Sequence, residues 1–244
     1  MPTAIREGVT DFLTVAVETT NVYEPVRERL AKAIADSQAG QVVDLCSGAG
    51  GPWPNWRRKG LIDCAVTLTD KFPSAAAQQR LAASPAPEVC YLPEPVDASA
   101  VPKSLEGFRT LFTSFHHFRP DEARSILQDA VRSRQPVGIF ETTHRNLRAM
   151  ASMIGTPVAV WLLTPRIPHL SWKVILFTYL IPIIPLIVLL DGWTSCLRSY
   201  KPDELRAMAD QPGYAWTCGT EHRGWWWPPA TYLIGIPLPQ GPSA

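Results

Sequence analysis

The chain has 244 residues, enough for one large α/β domain, and its 24 prolines argue against an all-helical protein. With a net charge of +1 and no basic run longer than the Arg-Arg-Lys triplet at residues 57–59, it lacks the electrostatic footprint of a duplex-binding protein, so no nucleic-acid partner is expected. Five cysteines without a Cys-x-x-Cys pair fit reduced thiols, and residues 1–7 have no apolar signal core; a cytoplasmic protein with no metal site is expected.

Residues 10–36 carry apolar side chains at helical spacing, which predicts two helices broken near residues 19–21, with a left-handed cap at Gly40. Residues 1–40 thus form a helical cap, in which Phe12 and Tyr23 read as core or as lid. Residues 42–52 follow, Val-Val-Asp-Leu-Cys-Ser-Gly-Ala-Gly-Gly-Pro. Val42, Val43 and Leu45 suit a strand covered on both faces, whereas Ser47, Gly48, Ala49, Gly50 and Gly51 leave the backbone bare where a ligand approaches.

A second strand is predicted over 61–69, ending in Asp70 and Lys71, and an acidic side chain there can accept from both hydroxyls of a ribose. A third, over 88–96, is broken by Pro93 and Pro95 and delivers Asp97, Ala98 and Ser99. The fourth, 109–114, ends in Ser114 and is followed by Phe115, His116 and His117. A helix over 121–134 has acidic residues in its first turn, and a fifth strand over 137–140 ends at Glu141. Five strands alternating with helical stretches call for a parallel sheet. Beyond residue 200, a helix from Lys201 to Met208 precedes two strands, 214–220 and 230–236, joined through residues 224–229; one of the two must be antiparallel to the other.

The chain therefore reads as one domain, with the cap at 1–40, a nucleotide-binding half at 41–142, an insert at 143–199, and a terminal helix and hairpin at 200–244. The insert is far longer than an ordinary connection, which makes it the place for substrate choice. Residues 174–190 hold no charge between Lys173 and Asp191. Their length is at the lower edge of what crosses a bilayer, and Pro182 and Pro185 each remove a helix hydrogen bond, so a span is disfavoured. A hydrophobic cover over a ligand, or a homodimer face, is the favoured reading; peripheral membrane contact is the weaker one.

The spacing Asp-x-Cys-x-Gly-x-Gly from Asp44 resembles the first motif of class I S-adenosylmethionine (SAM) dependent methyltransferases, in which an acidic residue precedes Gly-x-Gly-x-Gly by two positions. Gly48 and Gly50 match, and Cys46 stands where the first glycine is usual. Together with Leu-Thr-Asp-Lys, Ser-Phe-His-His-Phe and Asp-Gly-Trp-Thr-Ser-Cys-Leu-Arg, the motif resembles a bacterial branch of that fold containing SAM cyclases that form azetidine-2-carboxylate. The resemblance implies a seven-stranded Rossmann-like sheet with a reversed seventh strand, and SAM as cofactor. It implies Asp44, Ser47, Gly48 and Gly50 at the cofactor loop, Asp70 with Lys71 at the ribose, Asp97 with Ala98 at the adenine, and Ser114 with Phe115 where substrate meets the sulfonium.

A sulfonium cation is suited by aromatic faces, which Phe115 and Tyr179 can supply. His116 and His117 are candidate general bases, since an imidazole titrates near neutrality, and Glu141 is an alternative base at a strand end. The expected activity is methyl transfer to a small-molecule acceptor. Two alternatives remain: cyclisation of SAM itself, with Tyr179 on the sulfonium and Glu141 near the amine, and a membrane-associated or lipid-modifying role for the insert.

Overall fold

A computed structural model describes residues 3–168, 170–224 and 228–239. It opens with helices α1 (Thr3–Thr20) and α2 (Glu24–Ser37), separated by a turn in which Asn21 has a φ of 48°. The left-handed residue that ends α2 is Gln38, with a φ of 55°, not the expected Gly40. The buried face of α2 runs out at Ile34, and Ala39 turns back onto the core, so the chain reverses two residues early.

The sheet has seven strands: β1 (Gln41–Asp44), β2 (Ala65–Leu68), β3 (Val89–Tyr91), β4 (Phe108–Phe112), β5 (Val137–Glu141), β6 (Tyr214–Glu221) and β7 (Ala230–Pro237). Their order is β3-β2-β1-β4-β5-β7-β6, with the first five parallel and β7 antiparallel to both β5 and β6. Asp44 pairs with Thr110 and Phe112 with Phe140, so β1, β4 and β5 present their carboxyl ends along one edge. The order reverses between β1 and β4, which is the switch point of the sheet. The strand β2 is shorter than predicted because the buried Arg57 holds the Ile62 carbonyl at 2.7 Å and Asp63 at 2.8 Å, fixing residues 61–64 as a loop. The hairpin residues 225–227 lie outside the described residues.

Helices α3 (Trp53–Arg58), α4 (Ala75–Ala83) and α5 (Pro120–Arg132) follow β1, β2 and β4. The insert folds as α6 (Leu147–Ser152), α7 (Thr156–Leu163), α8 (Trp172–Ile175) running on as a π-helical turn (Leu176–Leu180), and α9 (Ile183–Arg198); α10 (Pro202–Met208) precedes β6. Alternate residues of the strands feed two cores, as period-2 side-chain geometry requires. On one face Val42, Phe108 and Phe140 meet Val26, Leu30, Trp53 and Trp56; on the other Val43, Leu111 and Ile139 meet Ile126, Leu127, Leu205 and Met208. Full burial of each such side chain contributes about 1.5–3 kcal/mol.

A third core lies off the sheet, where Ile5, Phe12 and Val15 of α1 pack on Val160, Val174, Ile184 and Val188 of the insert. Phe12 is therefore core between α1 and the insert. The apolar run at 174–190 is not one straight helix: Trp172–Leu180 and Ile183–Arg198 meet at 72°, at the break that Pro182 imposes. A second apolar stretch, the 20-residue helical run Leu147–Arg166, is mostly unburied.

Candidate active site

The loop after β1 is built on left-handed backbone. Cys46 has a φ of 55°, Gly48 of 53°, Gly50 of 102° and Gly51 of 53°. Only at Cys46 does a side chain bear that strain, at the position where the resembled motif has glycine. At Gly50 a Cβ would lie 3.0 Å from Cγ of Pro54 and 3.1 Å from Cδ1 of Leu68, so the loop is pressed onto α3 and β2. Ser47 ties it down: its N–H donates to the Thr69 carbonyl at 2.9 Å, and its hydroxyl donates to the Asp44 carbonyl at 2.8 Å while accepting the Thr69 N–H. The Ser47 side chain is thus a clamp between the ends of β1 and β2.

Asp44 is 1% exposed, and its Oδ1 accepts from Trp53 Nε1 at 3.0 Å and from Thr110 Oγ1 at 2.6 Å. Its Oδ2 is buried with no partner among the described residues, and burial pushes the carboxyl up to about 7. Asp70 is held against the loop, Oδ2 accepting the Gly48 N–H and Oδ1 the Phe72 N–H, each at 2.9 Å. The Gly48 carbonyl in turn accepts from the Tyr91 hydroxyl at 3.1 Å. Asp97 accepts from Lys71 Nζ at 2.7 Å and from the N–H and hydroxyl of Ser99, and these donors, Lys71 foremost, pull its carboxyl down to about 2. Ala98 beside it is core.

The end of β4 departs from expectation. Phe115 does not offer its ring to a ligand: it is fully buried against Phe118 and Tyr200, because the 3₁₀ turn Phe115–His117 folds it inward. Glu141 accepts the Phe115 N–H at 2.7 Å, the His116 N–H at 3.3 Å and His116 Nδ1–H at 2.7 Å, so its oxygens hold the turn in place. His116 is 3% exposed with Nε2 lacking a partner among the described residues, as does the buried Ser114 hydroxyl. His117 packs its ring 4.3 Å from that of His116 and, unlike it, reaches solvent. Partial burial, then the neighbouring His116, lower its pKa, which keeps the ring neutral at pH 7. Tyr179 is not at this edge: its hydroxyl donates to the Trp161 carbonyl at 2.7 Å within the insert. His144 Nε2 donates to the Pro229 carbonyl at 2.7 Å, and among the described residues no group of three His, Cys, Asp or Glu side chains is arranged for a metal ion.

Sequence reasoning missed three features. Trp53 and Thr110 anchor Asp44, and a row of hydroxyls crosses the strand ends from Tyr23 to Thr113 (2.7 Å) and on to Thr142 (3.1 Å). A cavity of about 290 Å³ lies between α1, the glycine loop and α4, lined by Asp11, Val15, Ala49, Gly51, Arg80 and Tyr91, among others. Ion pairs Arg80–Asp11 and Arg58–Glu18 hold α1 over it. Asp70 and Asp97 lie outside its lining, their carboxylates being turned onto Gly48 and Lys71. No spacing in the sequence marks this cavity, since its walls come from helices distant along the chain.

No family model matches the chain, and no curated protein sequence matches it. Solved structures do. Human N-acetylserotonin methyltransferase, in complex with SAM, is 11% identical over 94% of this chain and 56% of that one, with a TM-score of 0.56. The methyltransferase domain of bacterial CtHen1-CN is 12% identical over 88% of this chain and 99% of that one, with a TM-score of 0.53. Magnesium protoporphyrin IX methyltransferase from Synechocystis, with bound S-adenosylhomocysteine (SAH), is 11% identical over 91% and 84%, with a TM-score of 0.51. The fold is that of the class I methyltransferases. In this methyltransferase fold the crevice for a ligand opens at the β1/β4 switch point. Asp44, the glycine loop and Ser114 all lie there.

Proposed function

We propose that the protein binds SAM at the carboxyl ends of β1, β2 and β4 and transfers its methyl group to a small-molecule acceptor. The observation that carries this is the Asp70 carboxylate held on the amide of Gly48, at a strand end beside bare left-handed backbone. A carboxylate there suits the paired hydroxyls of a ribose, and Asp97, in the loop that follows β3, suits an exocyclic amine. The unpartnered Asp44 Oδ2 and Ser114 hydroxyl supply an acceptor and a donor for the amino-acid end of the cofactor. Neighbours of this fold crystallised with SAM and SAH support the same choice.

Bound there, SAM supplies a methyl group on a cationic sulfur. The chain's own work is to orient an acceptor, exclude water and take a proton. His117, neutral and solvent-facing, is the base for an acceptor amine or hydroxyl. Glu141 and His116 are positioning residues, because they fix the turn that carries His117. Helix α1, held by the Arg80–Asp11 and Arg58–Glu18 pairs, covers the cavity beside the glycine loop and limits the water there. The cyclisation reading has less support, since Tyr179 is held by Trp161 and Glu141 by three N–H groups.

Calorimetric titration of SAM against wild type and Asp70→Ala tests the cofactor assignment. The variant is expected to bind about tenfold to a hundredfold more weakly; no heat with wild type, or equal affinity in the variant, removes it. Product analysis then tests the reaction. SAH that forms only when cell extract supplies an acceptor is the expected result, whereas methylthioadenosine from SAM alone would overturn methyl transfer in favour of cyclisation.

A further inference from the structure

The outer face of the insert leaves large apolar side chains in solvent on a scale found nowhere else in the described residues. Leu162 is 71% exposed, Trp172 68% and Leu180 78%, and Trp161, Ile181 and Leu186 are each close to half exposed. Two of the elements that carry them are joined. Trp161 Nε1 donates to the Thr178 carbonyl at 3.0 Å and Tyr179 returns a bond to the Trp161 carbonyl, tying α7 to the π-helical turn. The 72° bend at Pro182 puts Leu180, Ile181 and the proline itself at the corner between the two helical segments, all exposed. Apolar patches of this extent on a folded chain mark a site of association.

Charge identifies the occupant. Between Glu141 and Asp191 the sequence contains no carboxylate, while Arg145, Arg148, Arg166 and Lys173 stand in the same interval. Arg145 pairs with Glu204, but Arg166 and Lys173 are exposed beside the apolar face, Lys173 Nζ lying 5.9 Å from the ring of Trp172. Exposed tryptophan and tyrosine at the margin of an apolar face, with cations and no anions, are the composition of an element lying in a membrane interface. A second copy of this chain fits less well. A two-fold contact would set the patch against itself, leaving Arg166 and Lys173 to face apolar side chains or other cations with no carboxylate on the patch to pair them. Full insertion is also ruled out: the opposite side of the insert packs on α1, which carries Glu7, Asp11 and Glu18.

The geometry points to the outer face of the insert, with Leu162, Leu180 and Ile181 at its tip and Arg166 and Lys173 at its rim, as a monotopic docking surface for an anionic lipid bilayer. Apolar side chains at the bend enter the headgroup boundary by about 5–10 Å while the two cations meet lipid phosphates. The sheet and its strand-end crevice stay in water above the surface. This inference stands on the insert alone and does not depend on the cofactor assignment.

Flotation of the full chain through a density gradient tests it, with vesicles of phosphatidylcholine alone and of phosphatidylcholine mixed with phosphatidylglycerol. Wild type is expected to float with the anionic vesicles, less so as salt is raised and less with neutral ones. Leu162→Asp combined with Leu180→Asp is expected to stay at the bottom, with an unchanged circular dichroism spectrum. Should that variant misfold, Arg166→Glu combined with Lys173→Glu keeps the test open: it is expected to lower partition to anionic vesicles by about tenfold or more. Wild type that stays at the bottom with both vesicle types overturns the proposal. So does a wild-type dimer, seen by light scattering, that Leu162→Asp with Leu180→Asp dissociates while neither protein floats. SAM calorimetry on the same samples keeps failure here separate from failure of the cofactor assignment.

Discussion

At the carboxyl edge of the sheet, Asp44, Asp70 and Asp97 are surrounded by donors from Trp53, Thr110, Gly48, Phe72, Lys71 and Ser99, each fixed by the strand or loop that bears it. In the insert the polarity is inverted: no carboxylate occurs for the whole span from Glu141 to Asp191, and large apolar side chains lie outside as well as inside. The first region satisfies its polar groups internally almost throughout, with Asp44 Oδ2 a buried exception that has no partner among the described residues. The second keeps its apolar surface unsatisfied, and so its stability is only partly its own.

Substitutions can break this contrast. The largest effect is expected from Glu141→Ala, which strands the N–H groups of Phe115 and His116 and the His116 ring in a buried site; a loss of about 3–5 kcal/mol in urea unfolding is expected. Asp44→Asn keeps an acceptor for Trp53 and Thr110 while removing a charge. Because burial raises the folded carboxyl to about 7, the contribution of Asp44 to wild-type stability is full below about pH 4 and is lost as pH rises through 7, where the unfolded state has already released the proton. The variant is expected to lose that slope, a difference on the order of 3 kcal/mol between the two ends. At Cys46, glycine is expected to exceed alanine in stability by about 1 kcal/mol, the reverse of their usual order, because the backbone there is left-handed. Smallest of all, Leu180→Asp is expected to shift unfolding by no more than about 0.5 kcal/mol, since its side chain faces solvent; Ile184→Ala, just beyond the bend and inside the third core, is expected to cost about 2–4 kcal/mol.

Much of the edge was legible because its signals are local. Val42, Val43 and Leu45 mark a doubly covered strand, the glycines after it mark left-handed backbone, and Asp70 follows the end of β2; the alternation of strands and helical stretches points to the parallel strands, while the reversed seventh strand was implied by the resemblance to the methyltransferase fold. What was not legible depends on which distant residues meet. Glu141 and His116 read as two separate bases, yet β4 and β5 are neighbours in the sheet, so their ends face each other and the pair is one hydrogen-bonded unit. Phe115 read as a ligand face because its position after a strand fits one, but the turn that follows rolls it inward. The inward and outward sides of the insert could not be told apart either, because a helix apolar all round gives no moment by which to assign them.

The pairing of β7 between β5 and β6 has a consequence for the order of folding. Ile139 meets Leu233 and Glu141 meets Thr231, so the outer edge of β5 stays unpaired until those late residues have been made. By then the whole insert has left the ribosome, with α1 as its only early packing partner among the elements that precede it in the third core. Contacts so distant in sequence form slowly, and apolar helices exposed during the wait are open to holding chaperones, to lipid or to one another. The chain thus meets its greatest hazard of aggregation while it is being synthesised, in the interval between the insert and the strand that closes the sheet.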